Sequence, residues 1–195
     1  MIFGEAERKF VGTGKFVRRQ ISRLTAAMSK KASFPTIDPQ VRIGHVHLKV
    51  ADLDRALKFY RDVLGFEVTT RYGTQAVFLS AGGYHHHIAL NTWESQGGFP
   101  PEPGTTGLYH VAIVYPTRAL LADAFRRVLA AGIDLEGAAD HGVSEAIYLR
   151  DPDWNGVELY WDRPREQWPR TAGGGIEMYT KRLDLQDLLR AAEGK

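Results

Sequence analysis

Cysteine is absent from all 195 residues of the chain. Disulfides and thiolate chemistry are thereby excluded, and any metal site has to be built from nitrogen and oxygen ligands. The absence also fits a reducing, cytoplasmic setting. No apolar run approaches the roughly 20 residues that span a bilayer, and the N-terminus has no continuous apolar signal core, so a soluble chain is expected. Excess charge is missing as well. The net charge is +2, with 44% hydrophobic and 25% charged residues, which is ordinary globular composition rather than disordered or fibrous material. What charge there is lies unevenly: residues 1–31 hold eight Lys or Arg against Glu5 and Glu7, a local +6 that leaves −4 for the rest. Such a leader suits a nucleic-acid or membrane-surface arm, a targeting peptide, or an extension upstream of a start at Met28. The composition favours the last, so residues 1–40 are set apart as a basic N-terminal extension, with no nucleic-acid or membrane partner expected.

From Val41 onward there is regular order. "IGHVHLKV" alternates with strand period, and in "ADLDRALKFYRDVLGFEV" Leu53, Ala56, Leu57, Tyr60, Val63 and Leu64 recur at helical spacing until Gly65. "FEVTTRYG", "QAVFLSAGG" and "YHHHIALNTW" then read as three short strands separated by Gly-bearing turns. After a break at Pro100, Pro101, Pro103 and Gly104 the same order returns: strand "GLYHVAIVY", helix "TRALLADAFRRVLAAG", strands "IDLEGAAD", "SEAIYLRD" and "NGVELYWD". At one offset of 65 residues His45 pairs with His110, Val46 with Val111, Tyr60 with Phe125, Arg61 with Arg126, and Leu64 with Leu129. A strand register and a helix register that agree at one offset indicate a duplication. The fold class expected is α+β, with two tandem βαβββ modules, about 41–97 and 106–163, forming a half-open barrel around a central cleft. The tail, residues 164–195, should wrap the outside and is given no chemistry.

The seven histidines all fall between residues 45 and 141. His45 and His110 occupy equivalent strand starts, and Glu158 lies between Val157 and Leu159, which alternation turns the other way. A carboxylate on a sheet's inner face costs several kcal/mol unless it is paired or coordinated. Together His45, His110 and Glu158 have the composition of a 2-His-1-carboxylate triad, whose usual metal is non-haem Fe(II) with positions open for substrate and oxygen.

"GHVHLKVADLDRALKFYRDVLGFEV" and "HGVSEAIYLRDPDWNGVELYWD" resemble the vicinal oxygen chelate superfamily. It includes glyoxalase I, fosfomycin and bleomycin resistance proteins, and extradiol ring-cleaving dioxygenases. The resemblance covers residues 41–163 and is greatest to the catechol 2,3-dioxygenase family. It implies an Fe(II)-dependent dioxygenase of aromatic-compound catabolism that acts on a catechol-type diol with O2. "HHIAL" resembles the family segment whose first His is the acid-base residue, which gives that role to His86. His87 can equally well be set against Glu158 as its counterpart in the first module, so the choice between the two stays open. The resemblance also carries a pocket His over to His141 and a pocket Tyr to Tyr148, although their spacing is two residues tighter than the family's. Phe78, Trp93 and Trp154 are candidate pocket walls. Other members imply other reactions on the same ligands: a glyoxalase-like isomerase or lyase with Ni, Co or Zn, a thiol transferase with Mn, or a metal-free drug-binding protein. A homodimer is the assembly expected.

Overall fold

The computed structural model describes Ile21 and residues 36–192. Apart from Ile21, the basic segment 1–31 lies outside the described residues. The chain divides into two units between Gly44 and His45. In the first, Asp38 closes a turn: its side chain accepts from the Gln40 N–H at 2.8 Å and its carbonyl from the Val41 N–H at 3.0 Å. The second unit carries every element described below.

Strand β1 (Val46–Lys49), helix α1 (Leu53–Leu57) with a π-helical continuation (Lys58–Val63), and strands β2 (Glu67–Tyr72), β3 (Ala76–Ser80) and β4 (Ile88–Asn91) form the first module. Strand β5 (Val111–Val114), helix α2 (Arg118–Ala130), and strands β6 (Leu135–Asp140), β7 (Ser144–Arg150) and β8 (Gly156–Asp162) form the second. The sheet orders are β1-β4-β3-β2 and β5-β8-β7-β6, each with its outer strand parallel to the last strand of the module. These are the two βαβββ modules of an α+β fold expected from the repeat.

Local sequence explains each start. The Asp52 side chain caps α1 by accepting from the Arg55 N–H, and Thr117 caps α2 through the Leu120 N–H. Alternation turns Val46 and Leu48 toward the core while His47 and Lys49 stay exposed, and Val111 and Ile113 inward while Ala112 and Val114 stay exposed. Strands β1 and β5 thus turn one face to the core and the other, the open face, outward.

Three elements differ from the sequence reading. The helix predicted over 53–64 is α-helical for one turn and then widens into a π-helix. Successive side chains point about 100° apart on an α-helix. A π turn narrows that angle, and here Phe59 and Tyr60 are both buried. The strand predicted over 84–93 is ordered as β4 only from Ile88. Gly82 and Gly83, both at positive φ, turn the chain sharply, and the first ladder contacts are the His87 N–H to the Leu79 carbonyl and the Val46 N–H to the His87 carbonyl. Tyr84, His85 and His86 precede the point where neighbouring strands are available. The tail, finally, extends the second sheet. Strand β9 (Lys181–Arg182) pairs antiparallel with β6, and helix α3 (Leu185–Arg190) buries Leu188.

The turn between β7 and β8 ties the modules together. Asp151 accepts the Tyr60 hydroxyl at 2.8 Å, and Asp153 accepts the Ala51 N–H at 2.8 Å and Arg55. Burial pushes the Asp151 carboxyl up and the Tyr60 hydroxyl well up, so this contact sits in a dry seam.

Candidate metal and substrate site

Strand register sets the second module's open face. Glu158 stands opposite Tyr148 on β7 and Ala112 on β5, so the three share one row, and His110 lies two residues before Ala112 on the same side. Gly156 begins β8 beneath the chain entering β5. A Cβ there would overlap the Tyr109 carbonyl and come within 3.0 Å of the His110 Cβ, so glycine alone permits the crossing that lowers His110 onto Glu158. The result is a contiguous polar line. His110 Nε2 is 2.9 Å from Glu158 Oε2, the Tyr148 hydroxyl donates to Glu158 Oε1 at 3.1 Å, and His141 Nε2 is 2.7 Å from the same hydroxyl. Burial, and after it the neighbouring Glu158, pushes the Tyr148 hydroxyl well above the usual tyrosine range, so it remains a phenol.

His110, Tyr148 and His141 line a cavity of about 340 Å³, together with Tyr109, Arg150 and Thr180. That volume is at the lower end for small-molecule pockets. Arg150 faces Glu136 at 2.8 Å rather than Glu158.

The first module's open face holds the other histidines. The His45 ring packs on His86 at 4.2 Å and meets His85 at 6.2 Å. His86 also touches Phe78 at 5.0 Å, and its Nδ1 is 2.7 Å from that of His85. Burial first, and then His45 and His85, hold the His86 ring below the usual histidine pKa, which favours a neutral imidazole. His87 turns elsewhere: its Nδ1 meets the Ser80 hydroxyl at 3.1 Å and accepts the Ala81 N–H at 3.3 Å. His47 meets Asn91 Nδ2 at 2.8 Å and packs near Trp93. Trp154 does not reach the cavity. It is 66% exposed in the β7–β8 turn, with φ at +64°.

The register corrects one equivalence drawn from the repeat. Val46 pairs with Ile88 as Val111 pairs with Val157, so the residue matching Glu158 is Ala89, not His87. The offset between the two final strands is 69 rather than 65, because the second module has four more residues between its first and last strands than the first module has.

The donor set suits a divalent transition metal. Ligands about 2.1 Å from an ion and at right angles stand roughly 3 Å apart, the separation of His110 Nε2 and Glu158 Oε2. His45 is not beside them, and among the described residues no three His, Asp or Glu side chains converge closely enough to hold an ion. His110 Nδ1 is buried without a hydrogen-bond partner among those residues, whereas a metal-bound His usually has one. The structure therefore brings together His110, Glu158, Tyr148 and His141, and separately His45 with His86. Sequence reasoning missed Thr180 and Tyr179, whose carbonyl lies 3.0 Å from His141 Nδ1. No motif marks the tail, so only the folded chain places them.

The sequence profile of the Glyoxalase/Bleomycin resistance protein/Dioxygenase superfamily matches residues 42–159. A catechol-2,3-dioxygenase of Bacillus subtilis is 41% identical over 157 residues, covering 80% of this chain and 54% of the relative. Biphenyl-2,3-diol 1,2-dioxygenase 3 of Rhodococcus globerulus is 38% identical over 130 residues, 65% of each chain. The chain thus spans between half and two thirds of the length of these relatives. Among solved structures, a lactoylglutathione lyase from Agrobacterium tumefaciens superposes with a TM-score of 0.50 at 27% identity, covering 64% of this chain and 96% of that one.

Proposed function

The chain belongs to the glyoxalase/bleomycin resistance protein/dioxygenase superfamily, and on that premise we propose that it is an Fe(II)-dependent extradiol dioxygenase that opens a catechol-type ring with O2. The observation that carries the reading is the line His110–Glu158–Tyr148–His141, of which His110, Tyr148 and His141 face one small cavity. The dioxygenase relatives at 41% and 38% identity support the same reaction class.

His110 and Glu158, at ligand spacing, would hold the iron, and His45, which stands apart from them in this structure, is the proposed third ligand. Bound there, Fe(II) supplies a Lewis acid for the catechol and a path for its electrons to oxygen. The remaining work belongs to the chain. A neutral His86 accepts a proton from a catechol hydroxyl and later returns it, which a ring held neutral near pH 7 can do in both directions. His87, bonded into the β3–β4 turn, has its Nδ1 committed. The Tyr148 phenol donates to Glu158, orienting the carboxylate, and His141 stands behind it as the next group in the line. Tyr109 and Thr180 wall the cavity where the ring is seated. Both oxygen atoms of O2 enter the product, and the ring opens beside the hydroxyl pair.

Ala89 bears on the alternative of a glyoxalase-like isomerase. It stands at the first module's match to Glu158, where a second carboxylate ligand would have to be. The test is anaerobic loading with Fe(II) followed by air and a panel of catechols, read as the yellow absorbance of the ring-opened semialdehyde. Colour with at least one catechol supports the proposal. No colour with any, from protein that has retained iron, refutes it.

A further inference from the structure

The superfamily profile stops at residue 159, yet the tail beyond it returns to the candidate site. After the 3₁₀ turn at Arg165–Gln167, the Trp168 indole N–H donates to the Arg163 carbonyl at 2.8 Å. A short hairpin follows, closed by the Arg170–Ile176 bridge and the Thr171 N–H to the Gly175 carbonyl at 2.9 Å. The chain then crosses the β6–β7 turn. The Glu177 N–H donates to the Pro169 carbonyl, the Tyr179 N–H donates to the His141 carbonyl at 3.3 Å, and β9 closes on β6. Lys181 Nζ sits 4.1 Å from the centre of the Tyr179 ring. Gly142 fits this crossing. Its φ is +79°, and a Cβ there would come within 2.8 Å of the Tyr179 ring and 2.9 Å of Pro169.

The side-chain atom of the site that the strap reaches is a ring nitrogen of His141. His141 Nδ1 lies 3.0 Å from the Tyr179 carbonyl and 3.4 Å from the Thr180 hydroxyl. A carbonyl only accepts, so the proton of that bond has to reside on Nδ1. The other side of the ring is compatible with that proton. The Tyr148 hydroxyl has one proton and two acceptors in reach, Glu158 Oε1 and His141 Nε2. If it donates to Nε2, the ring is neutral with its proton on Nδ1. If it donates to Glu158, Nε2 must itself donate; a neutral ring would then set a bare Nδ1 against the Tyr179 carbonyl at 3.0 Å, acceptor facing acceptor, so Nδ1 holds a proton there as well. Nδ1 is protonated in each arrangement.

We propose that the segment Trp168–Arg182 is a positioning strap for His141: the Tyr179 carbonyl fixes the proton on Nδ1, so that Nε2 is the nitrogen turned to the Tyr148 hydroxyl. The hydrogen bond on one imidazole nitrogen sets what the other presents. An unconstrained neutral imidazole prefers the opposite tautomer, so the strap imposes a state the ring does not adopt alone. Only the use of that proton in turnover rests on the dioxygenase reading. The placement of the ring does not.

The test is therefore made on full-length, metal-free, ¹⁵N-labelled protein by imidazole nitrogen NMR, with the His141 signals identified by their disappearance in His141→Gln. The expected spectrum has a protonated Nδ1 whose hydrogen-bonded proton is visible. Gly142→Ala, which pushes the strap away, and Tyr179→Ala, which removes the ring that packs on Gly142, should each lose that proton and shift Nδ1 toward the tautomer-averaged position. Tyr179→Ala alters a half-exposed side chain and decides the matter if Gly142→Ala does not fold. An unprotonated Nδ1 in the unaltered protein, or a spectrum unchanged in the folded variants, overturns the proposal. If the spectra behave as expected while no catechol is cleaved, the strap stands and the dioxygenase assignment falls.

Discussion

Replacing Gly156 with Ala tests how His110 is placed. The added Cβ would overlap the Tyr109 carbonyl and press on the His110 Cα and Cβ, at 3.1 and 3.0 Å. The chain entering β5 must then lift by on the order of 1 Å, a misplacement that can cost roughly 100-fold where geometry matters. Two consequences separate. Overpacking of this kind costs about 1–3 kcal/mol, which for a domain of this size lowers Tm by roughly 2–4 °C per kcal/mol. Lifting His110 away from Glu158 should in addition weaken metal binding by about 10- to 100-fold, the range seen when ligand positioning is lost. Thermal melting of the metal-free protein reads the first, and anaerobic titration with Fe(II) or Co(II) the second. A variant that melts lower but binds metal as tightly as the parent would show that Gly156 matters only for packing, and that His110 is either not a ligand or not placed by this crossing.

Glu158→Ala should abolish metal binding and turnover together, whereas His86→Gln should retain metal and catechol and lose turnover by roughly 100- to 10,000-fold. If His87→Gln carries that loss instead, the acid-base assignment is refuted. Glu145, almost buried, receives Arg118 at 2.6 Å and Arg163 at 2.8 Å. Glu145→Ala leaves both guanidinium groups short of a partner and should cost about 3–5 kcal/mol in urea unfolding; a loss under about 1 kcal/mol refutes the buried-network account. Burial pushes the Asp140 carboxyl up, but hydrogen bonds from Arg163 and the Gly142 N–H outweigh it and hold the pKa below the ordinary carboxylate range. That depressed pKa stabilises the fold above the unfolded value of about 3.9, and the contribution is lost as pH falls through the folded value. Asp140→Asn should accordingly lose stability at pH 7 and show a flatter decline between pH 5 and 3 in denaturant unfolding; an unchanged acid limb counts against it.

The modules were legible because their signals are local and repeated: strand alternation at β1 and β5, caps at Asp52 and Thr117, and an offset shared by strand and helix. The π turn was not legible. Its helical spacing is compatible with an α-helix, and the partner of Tyr60 lies 91 residues away. The ligand candidates could be named from residue type and alternation, but the match of Ala89 to Glu158 needed the parallel pairing, because the offset of 65 at the first strands has grown to 69 at the last. Tyr179 and Thr180 carry no pattern, since what places them is a backbone carbonyl and a tail crossing.

The two copies of one hairpin have taken separate duties. Between β3 and β4 the connection, residues 81–87, carries His85, His86 and His87, and its contacts are mostly with neighbouring rings and its own strands. Between β7 and β8 the same connection, residues 151–155, reaches into the other module through Asp151 and Asp153. One hairpin is thus the clasp and its counterpart is not. Equivalent positions of the two modules therefore carry unequal structural weight. Substitutions at Asp151 or Asp153 break contacts between the modules, whereas substitutions at His85 or His86 leave those contacts in place.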